Sequence, residues 1–386
     1  MPDSCMVCGH KLDPQYALDL GPLPLFYGTK DPEIEASLNG RAFDAKLAYC
    51  ESCGTAQQVV NPETLAALDM IYQSSKACGA TPYSDSGWGA GRMKTFFEKT
   101  KFLFNPRSVL DIGCQDGYLL YEFHKRGATE LVGFEPGDVV PFEKDGFKPV
   151  IHKGFFDSSS FRNKKFDTVV ALQVLEHIRT PVAFLKSIRD ALSDGGQLVV
   201  SVPNARVQME SGDPGLFIHE HLIHFDDSSL DFTFAAAGFR IINRDETRNE
   251  FYVVAQKTSD AEPVAAPPKH DKNKNPLMKF KDKMDFMLGR FKEKTNGLKK
   301  IGLYGACKTT ANLANLAGIK NYSIFDDDTK KQGRELSGMN GKILEPTETN
   351  LKSQADMVCI ATMGFQEIIA GKLEAFGIPY FMLFGE

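Results

Sequence analysis

Apolar residues fall along this chain in two rhythms. Short continuous runs at Ser108–Ile112, Glu130–Phe134, Thr168–Leu172, Gln197–Pro203, Arg240–Asp245 and Phe251–Gln256 read as buried strands, and segments long enough for a helix separate most of them. Strands alternating with helices predict a mainly parallel sheet with helices on both faces. The last two runs lie close together and are expected to pair antiparallel at one end of that sheet. A helical stretch over residues 89–104 leads into this pattern. Beyond it, Phe280, Met284, Met287, Leu288 and Phe291 recur at helical spacing, which predicts an amphipathic helix over Leu277–Thr295 whose stripe is a packing face. A further strand, in KKIGLYGAC, ends in a glycine turn and opens a second, smaller α/β unit.

These rhythms divide the chain into a short, loop-rich module at residues 1–68, an α/β unit at 69–257, a linker at 258–276 and a C-terminal α/β unit at 277–386. The linker reads TSDAEPVAAPPKHDKNKNP, rich in proline, alanine and charge with almost no bulky apolar residue. A length of 386 residues agrees with two or three domains rather than one core.

The formal net charge is −5, so no basic excess points to nucleic acid, and none is expected as a partner. No apolar run reaches the ~18 residues of a membrane span, and MPDSCMVCGH lacks the features of a secretory signal. A cytoplasmic setting follows as an expectation. There, cysteines pair on metals more readily than in disulfides. Cys5-x-x-Cys8 and Cys50-x-x-Cys53 have the knuckle spacing of a tetrahedral zinc site, each pair followed by a glycine, Gly9 or Gly54. The 41 residues between the pairs exceed the usual spacing and require an inserted loop. Four thiolates close the coordination sphere, so such a zinc is structural; reduced, unligated cysteine is the alternative.

Two further segments carry chemistry. SVLDIGCQDGYLL places Asp111, Gly113 and Gly117 at the carboxyl end of a strand, the binding crevice of such sheets. The pattern D-x-G-x-x-x-G departs from the dinucleotide fingerprint G-x-G-x-x-G. The next strand, LVGFEP, ends on Glu135, an acceptor placed for a pair of hydroxyls, and VVALQVLEHI closes a third strand with a polar turn. LFIHEHLIHF gathers His219, Glu220, His221 and His224 within six positions, just after the strand LVVSVPN. Histidine titrates near working pH and suits proton transfer; a second metal site or a solvated loop are the other readings.

The elements from Asp111 to Ile178, in their order, resemble the S-adenosylmethionine-dependent methyltransferase superfamily. That resemblance implies a class I Rossmann-like fold in which Asp111, Gly113 and Gly117 line the methionine side and Glu135 holds the ribose. Phe156 and Asp157 would contact adenine, and Gln173 the pocket floor. Across all three units the chain resembles the zinc-containing C-methyltransferases of nucleotide-linked deoxysugars. The likeness rests on CMVCG with ALDLGPLPL and CESCG, the central unit, and YGACKTTANLAN with DDDTKKQGREL. It implies a nucleotide-linked keto-sugar as substrate and a C-terminal unit that completes the substrate cleft. It also implies His221 as base with Glu220 as its partner, and Tyr72 of YQSS as a donor to an enolate oxygen. Two positions depart from the family pattern: Ile218 replaces a tyrosine ahead of HEH, and Asn249 and Glu250 stand in a segment usually rich in glycine. O-methylation of a sugar with the same base, and a non-catalytic nucleotide-binding zinc scaffold, are the competing functions.

Overall fold

The computed structural model describes residues 4–73, 84, 87–100, 105–157, 164–259 and 275–385. In the N-terminal module, β1 (Ala17–Pro24), β2 (Ala42–Tyr49) and β3 (Ala56–Gln58) form an antiparallel sheet. Helices Pro62–Gln73 and Gly87–Lys99 follow, and the last four residues of the expected 89–104 helix lie outside the described residues.

The central unit contains β4 (Ser108–Ile112), β5 (Glu130–Glu135), β6 (Val150–Lys153), β7 (Phe166–Leu172), β8 (Leu192–Pro203), β9 (Ile223–His224), β10 (Phe239–Glu246) and β11 (Glu250–Lys257). Seven of these make one sheet in the order β10-β11-β8-β7-β4-β5-β6. β4 to β8 run parallel, and β11 and β10 complete the sheet antiparallel, as the close spacing of the last two runs predicts. Val109, Leu110, Val169, Val170, Val199 and Val200 are wholly buried, which explains why the interior strands read as unbroken apolar runs. Strand β6 carries an exposed or half-exposed side chain at every position, VIHK, and so left no apolar run to detect. Helices Tyr118–Lys125, Pro181–Ala191 and Asp227–Ala236 cover the faces, the last opened by a reciprocal capping box between Asp226 and Ser229.

The eighth strand belongs elsewhere. β9 pairs antiparallel with β3, through Ala56–His224 and Gln57–Ile223, and becomes the fourth strand of the N-terminal sheet. The module that sequence places within residues 1–68 therefore closes only with a strand from the central unit.

Residues 260–274, most of the expected linker, lie outside the described residues. After them comes the helix Pro276–Thr295, one residue longer than its periodicity predicts, with Leu277, Phe280, Met284, Met287 and Phe291 buried. The C-terminal unit is a five-stranded parallel sheet, β12 (Ile301–Tyr304), β13 (Tyr322–Phe325), β14 (Ile343–Leu344), β15 (Met357–Ile360) and β16 (Tyr380–Met382), in the order β14-β13-β12-β15-β16. It touches both other units: Tyr27 donates to Ser337 at 2.9 Å, and Thr309 donates to Asp213 at 2.8 Å. Among the described residues, no helix is long and apolar enough to cross a membrane.

Candidate active site and cysteine cluster

The cysteines converge. Cys5 and Cys53 Sγ atoms are 3.5 Å apart and those of Cys8 and Cys50 3.6 Å, and all four lie within 4.8 Å of one another. Tetrahedral arms of about 2.3 Å require sulfur separations of roughly 3.8 Å, so the four thiols match the donor set of one ion. Each pair is folded into a knuckle by a backbone bond, Gly9 N–H to the Cys5 carbonyl at 2.9 Å and Gly54 N–H to the Cys50 carbonyl at 2.8 Å. The four thiols are tightly coupled: their mutual hydrogen bonds pull Cys8 and Cys50 down, toward the ionised form a metal binds, while Cys5 and Cys53 are raised.

A cavity of about 500 Å³ opens at the carboxyl ends of β4, β5 and β7. Its floor is the turn after β4. Gly113 has φ +76°, and a Cβ there would lie 2.7 Å from Val174, so no other residue fits this turn without displacing its neighbour. Asp111 is buried, and desolvation followed by the charge of Glu135 pushes its carboxyl up to about 8. Glu135 accepts from the N–H groups of Gln115 and Gly137, both at 3.0 Å. These two bonds fix the carboxylate at the cavity wall, each oxygen keeping a lone pair for a ligand hydroxyl. Phe156 and Gln173 line the same cavity, whereas Asp157 is exposed beside it. Gly117 lies at the rear of the turn, packed on Pro149, and does not line the cavity.

At the other end stand Tyr72, Glu176, His177, Glu220 and His221. Glu176 and His177 are cavity residues that sequence reasoning misses, because LEHI reads only as a polar turn closing a strand. The His177 Nδ1 lies 2.8 Å from the Glu220 carbonyl and 2.8 Å from the Tyr72 hydroxyl. A carbonyl only accepts, so Nδ1 carries the proton and Nε2 keeps its lone pair. That lone pair faces Glu176, 3.7 Å away, and the His177 ring meets His221 edge to face with centroids 5.1 Å apart. Ligand atoms of Glu176, His177 and His221 fall within 4.8 Å of one another, a grouping compatible with either a cation or an acid–base cluster.

Burial dominates the electrostatics. It pushes Glu176 and Glu220 up to about 8, lowers His177 to about 4, and holds His221 well below its ordinary value. The imidazoles are therefore neutral, the form a base requires. No hydrogen bond joins the Glu220 carboxylate to His221 among the described residues; Glu220 instead positions the cluster through its backbone carbonyl.

The remaining histidines of the HEH segment point elsewhere. His219 bonds the Phe43 carbonyl at 3.2 Å and packs edge-on against the Phe43 and Phe217 rings, while His224 sits on β9. Neither lines the cavity. The segment between them is held by Gln58, whose amide donates to the carbonyls of Ile218 at 2.5 Å and His221 at 2.7 Å. Ile218, Asn249 and Glu250, the departures from the family pattern, all line the cavity, and Glu250 pairs with Arg92 at 3.2 Å.

Residues 89–243 match the family model for a methyltransferase domain. Among curated proteins, tRNA U34 carboxymethyltransferase of Helicobacter acinonychis (strain Sheeba) is 33% identical over 30% of this chain and 47% of its own length. Its counterpart in Helicobacter pylori (strain HPAG1) is 31% identical over 38% of this chain and 60% of its own. The matches thus span about half the length of these relatives. Among solved structures, magnesium protoporphyrin IX methyltransferase from Synechocystis PCC 6803 with bound SAH is 19% identical, covering 52% of this chain and 96% of that one, at a TM-score of 0.35. The name of the curated relatives gives a tRNA and not the expected sugar. Their name also runs against the expectation, drawn from net charge, that nucleic acid is excluded, and that exclusion is withdrawn. With its glycine turn, acidic strand ends and mixed seven-stranded sheet, the central unit is a class I Rossmann-like methyltransferase domain.

Proposed function

We propose that this chain is an S-adenosylmethionine-dependent methyltransferase that methylates carbon beside the ketone of a nucleotide-linked sugar. One observation carries the reading: the glycine turn with Asp111 and Glu135, and the cluster of Tyr72, His177, Glu220 and His221, share one cavity. S-adenosylmethionine, when bound, supplies an electrophilic methyl group. Asp111 and the Gly113 turn would hold its methionine side, Glu135 its ribose hydroxyls, and Phe156 its adenine. Neutral His221 takes the proton from the carbon beside the carbonyl. Above about pH 8, where Glu176 and Glu220 ionise, these buried carboxylates stabilise the imidazolium that forms. Tyr72 and His177, bonded to each other, set the position of the Glu220 carbonyl and so of the turn carrying His221. The four cysteines would hold a structural zinc, with no coordination position open to substrate.

Mass spectrometry of products from a panel of nucleoside-diphosphate 4-keto sugars tests the reading. Deuterium entering the substrate carbon from solvent, together with a gain of one methyl, is expected; methylation without exchange would assign oxygen as the acceptor. A second reading, tRNA modification, is favoured by the name the curated relatives carry. Transfer of radiolabelled methyl to bulk tRNA, with none to keto-sugars, would replace the first reading with it.

A further inference from the structure

The cleft has a wall from the C-terminal unit, and that wall carries a cation. Lys308 is the first residue of the helix Lys308–Ala317 and lines the same cavity as Glu176, His177, Glu220 and His221. Its placement is fixed by neighbours on the same helix. Thr309 donates to the Asp213 carboxylate at 2.8 Å, and Asn312 donates to the carbonyls of Pro214 and Phe217 at 2.8 and 2.5 Å. Gly215 lets the two backbones meet, since a Cβ there would lie 2.3 Å from the Thr309 hydroxyl. The helix start is thus clamped to residues 213–217, which run directly into the HEH turn.

Donors and acceptors in this corner are unspent. The Lys308 ammonium makes no hydrogen bond or ion pair among the described residues, and Cys307, at the helix start, gives no side-chain cap. Opposite, both oxygens of Glu176 and Oε1 of Glu220 are buried without a hydrogen-bond partner. Glu176 and Glu220 are 1% and 7% exposed. An ammonium facing buried acceptors that it does not reach leaves room for a ligand offering an acceptor to one side and hydroxyl donors to the other. A hydroxylated carbon skeleton with a carbonyl has that complement. The Tyr72 hydroxyl is already engaged with His177 and the Glu220 carbonyl.

We propose that Lys308 is the oxyanion-binding residue of this cleft, delivered by the C-terminal unit to the substrate oxygen that gains charge as the carbon acid ionises. The inference rests on the proposed carbon methylation for its chemistry. His221 takes the carbon-bound proton, the C–H electron pair becomes a carbon–carbon π bond, and the carbonyl π pair moves to oxygen beside Lys308. When the carbonyl re-forms, the carbon–carbon π pair makes the bond to the methyl carbon and the S–CH₃ pair leaves with sulfur. The proton on His221 returns to solvent. A helix N-terminus adds its own positive field at the same point.

The test uses the full chain with S-adenosylhomocysteine bound, so that proton transfer is read without methyl transfer. Solvent deuterium exchange into a nucleoside-diphosphate 4-keto-6-deoxyhexose is compared among wild type, Lys308→Met and Lys308→Arg. Lys308→Met should lose ~10²–10³-fold in exchange and in kcat, the share of one oxyanion donor. KM should move less, S-adenosylhomocysteine affinity and melting temperature should hold, and Lys308→Arg should recover part of the rate. Where wild type exchanges the sugar, exchange within threefold of it in Lys308→Met overturns the proposal. Calorimetry with oxalate, a planar dianion resembling an enediolate, tests the same residue without any sugar. Lys308→Met should bind it at least ~10-fold more weakly, a difference of about 1.4 kcal/mol. Equal affinity, or no oxalate binding to wild type, also overturns it. If oxalate binding depends on Lys308 while no keto-sugar is exchanged or methylated, the oxyanion role stands and the sugar reading falls.

Discussion

His219, His221 and His224 are the same residue type within six positions, yet the fold gives them different work. Only His221 faces the cavity, so His221→Asn should lower kcat by ~10²–10⁴ while S-adenosylmethionine still binds. His219→Asn should instead lower the melting temperature, because its ring bonds the Phe43 carbonyl and packs on two phenylalanines. Loss of turnover in His219→Asn at unchanged stability would reassign the base. Asp111 gives a second outcome. Its carboxyl is held near 8 by burial and by Glu135, so below that pH the pocket is protonated. A sulfonium beside it favours the ionised form, so cofactor affinity should rise with pH and level off above about 8. Asp111→Asn should flatten that dependence in calorimetry; a flat wild-type profile would place the sulfonium elsewhere. Asp111, Glu135 and the HEH segment were legible because each stands at the end of an apolar run. Glu176, His177 and Lys308 were not, since a histidine in a polar turn and a lysine opening a distant helix carry no local sign that they meet.

The element that positions His221 is a strand of only two residues. β9 completes the N-terminal sheet against β3, and Gln58 on β3 holds the carbonyls of Ile218 and His221. Cys53 lies three residues before Ala56, the first residue of β3, so the cysteine knuckle and the HEH turn share one short strand. Cys50→Ser should therefore remove bound zinc, lower the melting temperature and depress methyl transfer together, since a structural metal contributes folding free energy. Gln58→Ala should depress transfer while the metal content measured by mass spectrometry stays at wild type. A metal-free Cys50→Ser variant with full activity would break the link. Periodicity located the long strands of the central unit because burial on both faces leaves unbroken apolar runs. β9 and β6 escaped it: two residues make no period, and β6 is exposed along one edge.

At the scale of the whole molecule, the three sequence blocks are interleaved rather than strung in series. The C-terminal unit bonds to the N-terminal module through Tyr27–Ser337 and Lys30–Glu335, and to the central unit through Asp213–Thr309. Composition and the linker pattern mark out the blocks; nothing local announces contacts between residues 96 to 310 positions apart. The borrowed strand has a consequence for how the protein is made. While the chain emerges from the ribosome, β3 waits with an unpaired edge until residues 223 and 224 have been synthesised and the parallel sheet has turned them back toward it. Closure over so long a loop is slow, and an open edge is a template for pairing between chains. A fragment of residues 1–68 should accordingly self-associate even when supplied with zinc, as sedimentation would show. Supplying the missing strand in trans, as a peptide spanning Leu216–Phe225, should return it to a dispersed monomer; a fragment already monomeric and well dispersed in NMR would show that the module closes unaided. Nascent-chain association is then a hazard confined to a definite interval of synthesis, one that opens when β3 leaves the exit tunnel and shuts when β9 does.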